Sequence, residues 1–255
     1  VPTITTSLRG LVDGVIVVDQ QMEPVHSGLG GGVVPDAFMI LSRIISSFHN
    51  DKGELLIEGL TPTEQDVFEL SDEFVKSSLS STGVNLFEMD SYSKRLWLEP
   101  ALSILAIDAP PVAESVNLLI PKAKAKVSLR LPPTEDPDHA MNMLEKHIKE
   151  NTPFNANVEF IPEAKGKGIL VDPKNEFSSK LIESFNKHWE NEVAYMGVGG
   201  SIPFANVFIN EFPNSEIVLV GAGDEEGNAH APNESVNISD IQRLIDSLTD
   251  AISNY

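Results

Sequence analysis

Apolar residues along the chain follow two spacings. Residues 12–19, 101–107, 125–131 and 156–161 are short runs, either rich in Val and Ile or alternating with polar side chains, and predict four strands. Between the first two, residues 35–50 carry Phe38, Leu41, Ile44, Ile45 and Phe48 at helical spacing, with Pro35 suited to a first turn. After the third, Asp136-Pro137 supplies an N-cap and a first-turn proline. They open a helix with Ala140, Leu144 and Ile148 on one face. The order β-α-β-β-α-β predicts a ferredoxin-like domain. Residues 51–100 interrupt it with polar, Ser-rich and acidic stretches and a helix over 64–79. So long an insertion in a compact domain usually serves a function or an interface.

The pattern changes after Lys165. Residues 168–171 read as a short strand, and Phe177, Leu181, Phe185 and Trp189 as a helix face. Ser201 is placed to cap a helix reaching Glu211. Residues 217–220 form a wholly apolar strand. Ser239 is placed to cap a last helix with Ile241, Leu244, Ile245, Leu248 and Ile252 inward. The fold class expected is α/β (α+β).

At 255 residues and 41% hydrophobic, the chain can bury one large core or two ordinary ones. No run approaches the ~18 apolar residues of a membrane span. No basic segment followed by an apolar one opens the chain, and Val-Pro-Thr-Ile reads as the middle of a longer protein. The absence of cysteine excludes disulfides, thiolate nucleophiles and Cys zinc sites, and fits a reducing compartment. Acidic residues number 38 against 18 basic, a formal charge of −20. That field repels polyanions, so neither nucleic acid nor an anionic membrane is an expected partner.

Four places carry candidate chemistry. His230 lies in Gly-Asp-Glu-Glu-Gly-Asn-Ala-His-Ala-Pro-Asn-Glu (223–234), after the apolar run and before the last helix. Loops at strand ends are where open α/β sheets hold their sites, and a neutral imidazole is a good zinc ligand. One histidine makes no metal site, and spacing alone favours a solvated acidic turn. His26, in Val-His-Ser-Gly-Leu-Gly-Gly-Gly (25–32), follows a strand on a glycine turn whose helix start can attract an anion. A plain flexible turn fits equally well, and neither a P-loop Lys-Ser/Thr nor a G-x-G-x-x-G order is present. Arg130, at the end of Lys-Val-Ser-Leu-Arg-Leu-Pro (126–132), has the fork that clamps a carboxylate, or is an ordinary surface arginine. Gly200 and Ser201, in Gly-Gly-Ser-Ile-Pro (199–203), offer N–H groups and a hydroxyl to an anion, or a simple cap. No G-x-S-x-G elbow marks Ser201 as a nucleophile. His49, His139, His147 and His188 read as ordinary residues on helix surfaces.

Taken in order, Ser-Leu-Arg-Gly-Leu (7–11), His-Ser-Gly with its trailing glycines, Pro-Asp-Ala (35–37), Ser-Leu-Arg-Leu-Pro, Gly-Gly-Ser-Ile-Pro and His-Ala-Pro-Asn-Glu resemble the M20 family of metallopeptidases. The likeness is to its dipeptidase, carboxypeptidase and carnosinase-like branch. The resemblance implies that residues 1–8 end a catalytic-domain segment and that residues 9–162 are a lid, or dimerisation, domain carrying the 51–100 insertion. Residues 163–255 would be the carboxyl-terminal portion of the catalytic domain. The family's metal-binding half lies upstream of this match, and neither His-x-Asp nor His-Glu-x-x-His occurs here. By resemblance, His230 is the last ligand of one zinc of a pair, and Glu234 supports its loop. His26 reaches a partner's site to bind the oxyanion. Arg130, with Asn117, holds the substrate carboxylate, and Gly200 and Ser201 face substrate. The full-length parent is then a zinc-dependent dipeptidase or exopeptidase, with two zinc ions per subunit and a metal-activated water. It acts in the cytoplasm on small peptides as a homodimer through the lid, and this chain alone is expected to hold no zinc and to be inactive. Two alternatives stand beside it: a non-catalytic dimerisation or peptide-binding module, and an M20 amidohydrolase acting on N-acyl amino acids.

Overall fold

The structure, a computed structural model, describes residues 1–79, 85–200, 202–212, 214–223, 227 and 232–255. Its strands are β1 (Thr3–Leu8), β2 (Gly10–Asp19), β3 (Ala101–Asp108), β4 (Lys122–Leu131), β5 (Val158–Gly166), β6 (Ile169–Leu170) and β7 (Ala194–Val198). Its α-helices are α1 (Ser27–Gly30), α2 (Ala37–Ser46), α3 (Asp72–Leu79), α4 (Tyr92–Trp97), α5 (Pro137–Glu150), α6 (Glu176–His188), α7 (Pro203–Glu211) and α8 (Ile238–Ser253). They form two compact units. One comprises Arg9–Thr63 and Glu99–Gly168; the other Val1–Leu8, Glu64–Leu98 and Ile169–Tyr255.

The first unit is an antiparallel sheet in the order β3-β4-β2-β5. Its element order is the β-α-β-β-α-β read from the sequence. The reason is plainest in β4, where Ala123, Ala125, Val127, Leu129 and Leu131 are buried and the residues between them are polar. The buried set packs with Ile40, Leu41 and Ile44 of α2 and Ala140, Leu144 and Ile148 of α5 in one core. Both helices start on aspartate caps: Asp36 Oδ1 accepts from Met39 N at 2.9 Å, and Asp136 Oδ1 accepts from Asp138 N and His139 N, both at 2.9 Å. Two expectations change. Phe38 lies on the outer side of α2, because the stripe Ala37, Ile40, Leu41, Ile44 already fills the face toward the sheet. His147 is buried rather than a surface residue.

The second unit holds a smaller sheet, β6-β1-β7, in which β1 runs parallel to β7 and antiparallel to β6. Leu181 and Phe185 of α6 and Ala251 of α8 pack with Ile4 in its core. Residues 51–100 divide between the units after Thr63. The part in this unit runs along β7: Phe68 N–H donates to Tyr195 O at 2.8 Å. Trp97 lies against Gly197, where a Cβ would come within 2.4 Å of the Trp97 Cβ. The helix expected over 64–79 is confined to Asp72–Leu79. The apolar run 217–220 makes a single antiparallel bridge, Thr5↔Leu219, and no extended ladder. The last helix is capped by Asn237, whose Oδ1 accepts from Ser239 N at 2.9 Å, so Ser239 is the capped residue and not the cap. None of the described helices is long and apolar enough to cross a membrane.

Candidate functional site

His26 stands at the N-cap of the one-turn helix α1, and its Nδ1 accepts from Gly28 N at 3.1 Å. The segment around it pairs with the segment carrying Asn117. Ser27 N–H donates to Asn117 O and Leu119 N–H to Val25 O, each at 2.8 Å, and His26 bridges Leu118. His26 and Asn117 are therefore brought together at the end of the sheet where β4 begins.

Arg130 is at the other end. It lies eight residues along β4 from Lys122, about 26 Å at the rise of an extended strand. Within one chain, Arg130 and Asn117 are not neighbours. The surroundings of Arg130 separate it from the other cations on its side of β4, Lys122, Lys124 and Lys126. Lys122 faces Asp19 on β2 and binds it at 2.9 Å; Lys124 faces Asp108 on β3; Lys126 binds Glu163 at 2.8 Å. The Lys122 ammonium, hydrogen-bonded to Asp19, holds that carboxyl below its ordinary pKa, and Glu163 likewise raises that of Lys126. Arg130 instead lies between Leu11 on β2 and Ala101 on β3, half-buried, and makes no ion pair among the described residues. A guanidinium with its hydrogen-bonding fork unclaimed is suited to an incoming carboxylate.

Of the remaining candidates, Ser201 and His230 lie outside the described residues. Gly200 precedes α7, whose N-cap position is held by Ile202. Ser235 N–H donates to Gly227 O at 2.9 Å, and Asn233 adopts φ +66°. Glu234 is exposed. Among the described residues no group of three or more His, Cys, Asp or Glu side chains is arranged to hold a metal ion. They do not by themselves furnish a paired-metal site.

Sequence spacing missed the pairing of residues 25–27 with 117–119. The segments, Val-His-Ser and Asn-Leu-Leu, lie too far apart in the chain for a local signal. It also missed that Arg130 lacks an opposed acid, a fact of register across three strands.

The M20 family's "Peptidase dimerisation domain" matches residues 6–156. The chain belongs to the M20 peptidase family. Among M20 relatives, it is 31% identical to the cysteinylglycine-S-conjugate dipeptidase of Corynebacterium striatum, covering 96% of this chain and 55% of the relative. It is 26% identical to the Cys-Gly metallodipeptidase of Saccharomyces cerevisiae, over 94% of this chain and 53% of the relative. Two solved M20 structures share the fold. The Saccharomyces cerevisiae dipeptidase superposes with a TM-score of 0.78 at 22% identity, over 98% of this chain and 55% of that one. Human carnosine dipeptidase 1 gives 0.77 at 19%, over 100% and 57%. The chain thus spans little more than half the length of these M20 proteins.

Proposed function

We propose that this chain is the lid and carboxyl-terminal part of a cytoplasmic M20 dipeptidase, acting as a homodimer on short peptides with a free carboxylate. Residues 9–162 are the lid and residues 163–255 the catalytic-domain portion. Arg130 holds the substrate carboxylate, and the observation carrying that reading is that it alone of the four β4 cations has no acid opposite or bound. His26 donates to the oxyanion of the tetrahedral intermediate, as preorganised donors do. Gly200 and Ser201 face the substrate. His230 is a ligand of a zinc pair whose other ligands lie in the half of the relatives that this chain does not span.

The placement of His26 and Asn117 supports a site shared between two copies. An extended dipeptide spans about 7 Å. The 26 Å length of β4 between Arg130 and the loop near Asn117 is too great for one lid to hold both ends of such a substrate. If all three residues meet one substrate, His26 and Asn117 come from one copy and Arg130 from the other.

The test uses the longer protein and two substrates, a dipeptide and its carboxyl-terminal amide. Replacing Arg130 by Met should lower kcat/KM for the free acid roughly 10–100-fold, the scale of a hydrogen bond to a charged group, and leave the amide nearly unchanged. An equal loss on both substrates rejects the carboxylate role.

A further inference from the structure

We infer that the backbone N–H of Gly28 sets the tautomer of His26, so that the loop presents Nε2–H as its outward hydrogen-bond donor. This rests on reading His26 as the oxyanion donor, and it makes Gly28 a positioning residue for that role.

Two independent observations lead there. The first is the bond itself, Gly28 N to His26 Nδ1 at 3.1 Å. A backbone N–H can only donate, so Nδ1 must offer its lone pair and carry no proton. A neutral imidazole has one N–H, which is then on Nε2.

The second is the fate of the other donors in the turn. A glycine-rich turn entering a helix ordinarily offers free N–H groups to an anion, and here they are spent. Ser27 N donates to Asn117 O at 2.8 Å, Leu29 N and Gly30 N both donate to His26 O at 2.9 and 3.0 Å, and Gly31 N donates to Ser27 O at 2.8 Å. With Gly28 N on the imidazole, every N–H from Ser27 to Gly31 is committed, four within the loop and Ser27 N to the paired 117–119 segment. The turn is not an anion cradle. The donor it leaves for a ligand is the His26 side chain.

Packing holds the arrangement. A Cβ on Gly30 would stand 2.8 Å from Val25 Cγ1 and 3.1 Å from Leu119 Cδ1, and one on Gly31 would stand 2.4 Å from Ser27 O. The turn is closed down on the 117–119 segment, so the imidazole hangs from a fixed backbone. Donation in this form needs no positive charge on the ring, because the neutral tautomer already carries the required proton.

The experiment reads ring nitrogens of this chain by long-range ¹H–¹⁵N correlation at mildly alkaline pH. His26→Ala identifies the His26 signals among the 6 histidines. The expected spectrum has a pyridine-type Nδ1 and a pyrrole-type Nε2. Gly28→Pro removes the N–H and should move both nitrogens toward values averaged between the tautomers, while backbone shifts of residues 117–119 report whether the loop keeps its pairing. A protonated Nδ1, or averaged nitrogens, in the parent chain overturns the inference whatever the variant does. An unchanged Nε2–H signature in a paired Gly28→Pro variant overturns the role of Gly28. Activity of His26→Ala in the longer protein is a separate measurement. A harmless substitution there defeats the oxyanion reading and leaves the tautomer assignment standing.

Discussion

His147 lies near the end of α5, its ring stacked on Phe48 at 5.2 Å between centroids, with Nε2 3.1 Å from both Ser47 O and Ser47 Oγ. Burial pushes its pKa below the ordinary value near 6.5, and the Ser47 carbonyl, Glu150, Glu58 and a Leu56 backbone contact work the other way. The folded chain therefore holds this proton less tightly than the unfolded chain does. Stability owed to the neutral ring is complete above the unfolded value of about 6.5 and declines as pH falls from there toward the lower folded value. His147→Phe keeps the stack and removes the titration. Its urea midpoint should fall less than the parent's between pH 7 and pH 5, as read by circular dichroism; equal falls would remove His147 as a source of acid sensitivity. At this scale the sequence disclosed residue types and not their partners. The strand-end position of Arg130 fits a carboxylate clamp or an ordinary surface arginine, and the Leu11 and Ala101 flanking it are set by register. His147 looked exposed because its i−3 and i+1 neighbours, Leu144 and Ile148, form the obvious apolar stripe, and the stack on Phe48 is a contact made across 99 positions of chain.

Among elements, the two free edges of the β3-β4-β2-β5 sheet are unlike. Both carry a register shift, between Ile104 and Ala106 on β3 and between Asp13 and Gly14 opposite β5. Beyond that, β5 is blunted by Pro162 and by Glu159, Glu163 and Lys165, the usual defences of an edge strand. β3 has neither proline nor lysine and shows Leu105 and Ile107 to solvent at 56% and 48%. The homodimer proposed above is therefore expected to form through β3, as an isologous strand pairing. Leu105→Lys with Ile107→Lys should convert dimer to monomer in sedimentation velocity at micromolar concentration, whereas Ile161→Lys on β5 should not. The opposite pattern would move the interface to β5. Elements with strict alternation or helical stripes were legible from the sequence, β4 and α5 above all. β1 was not, because its buried positions include Thr6 and Ser7, both with no exposure, and a strand of threonines does not look like a core strand. The run 217–220 misled in the other direction: its hydrophobicity is real, but one edge of β1 is already taken up by β7 and part of the other by β6.

For the molecule as a whole, the fold class was legible because several short motifs occur in one order over its entire length. The metal chemistry was not, since it requires side chains that meet from distant segments. Of the ligands the family reading calls for, this sequence contains one recognisable member, His230. The chain by itself is accordingly expected to hydrolyse no dipeptide when assayed with added zinc, manganese or cobalt. Metal-dependent turnover that copurifies with the chain and vanishes in His230→Ala would refute this. A different consequence follows from the way β1 is paired. Its partners are β6 and β7, with Thr3 opposite Ala194, whereas the four strands of the other sheet all lie between Gly10 and Gly166. Each doubling of an intervening loop adds only about 0.6 kcal/mol, so the separation costs little at equilibrium. It costs time during synthesis. At bacterial or eukaryotic rates, roughly ten to forty seconds pass between the making of β1 and the making of β7. For most of that interval β1 lacks both of the strands it pairs with in this chain, while all four strands of the other sheet have already been made, and Ile4 and Leu8, buried in the folded chain, wait for the residues that cover them.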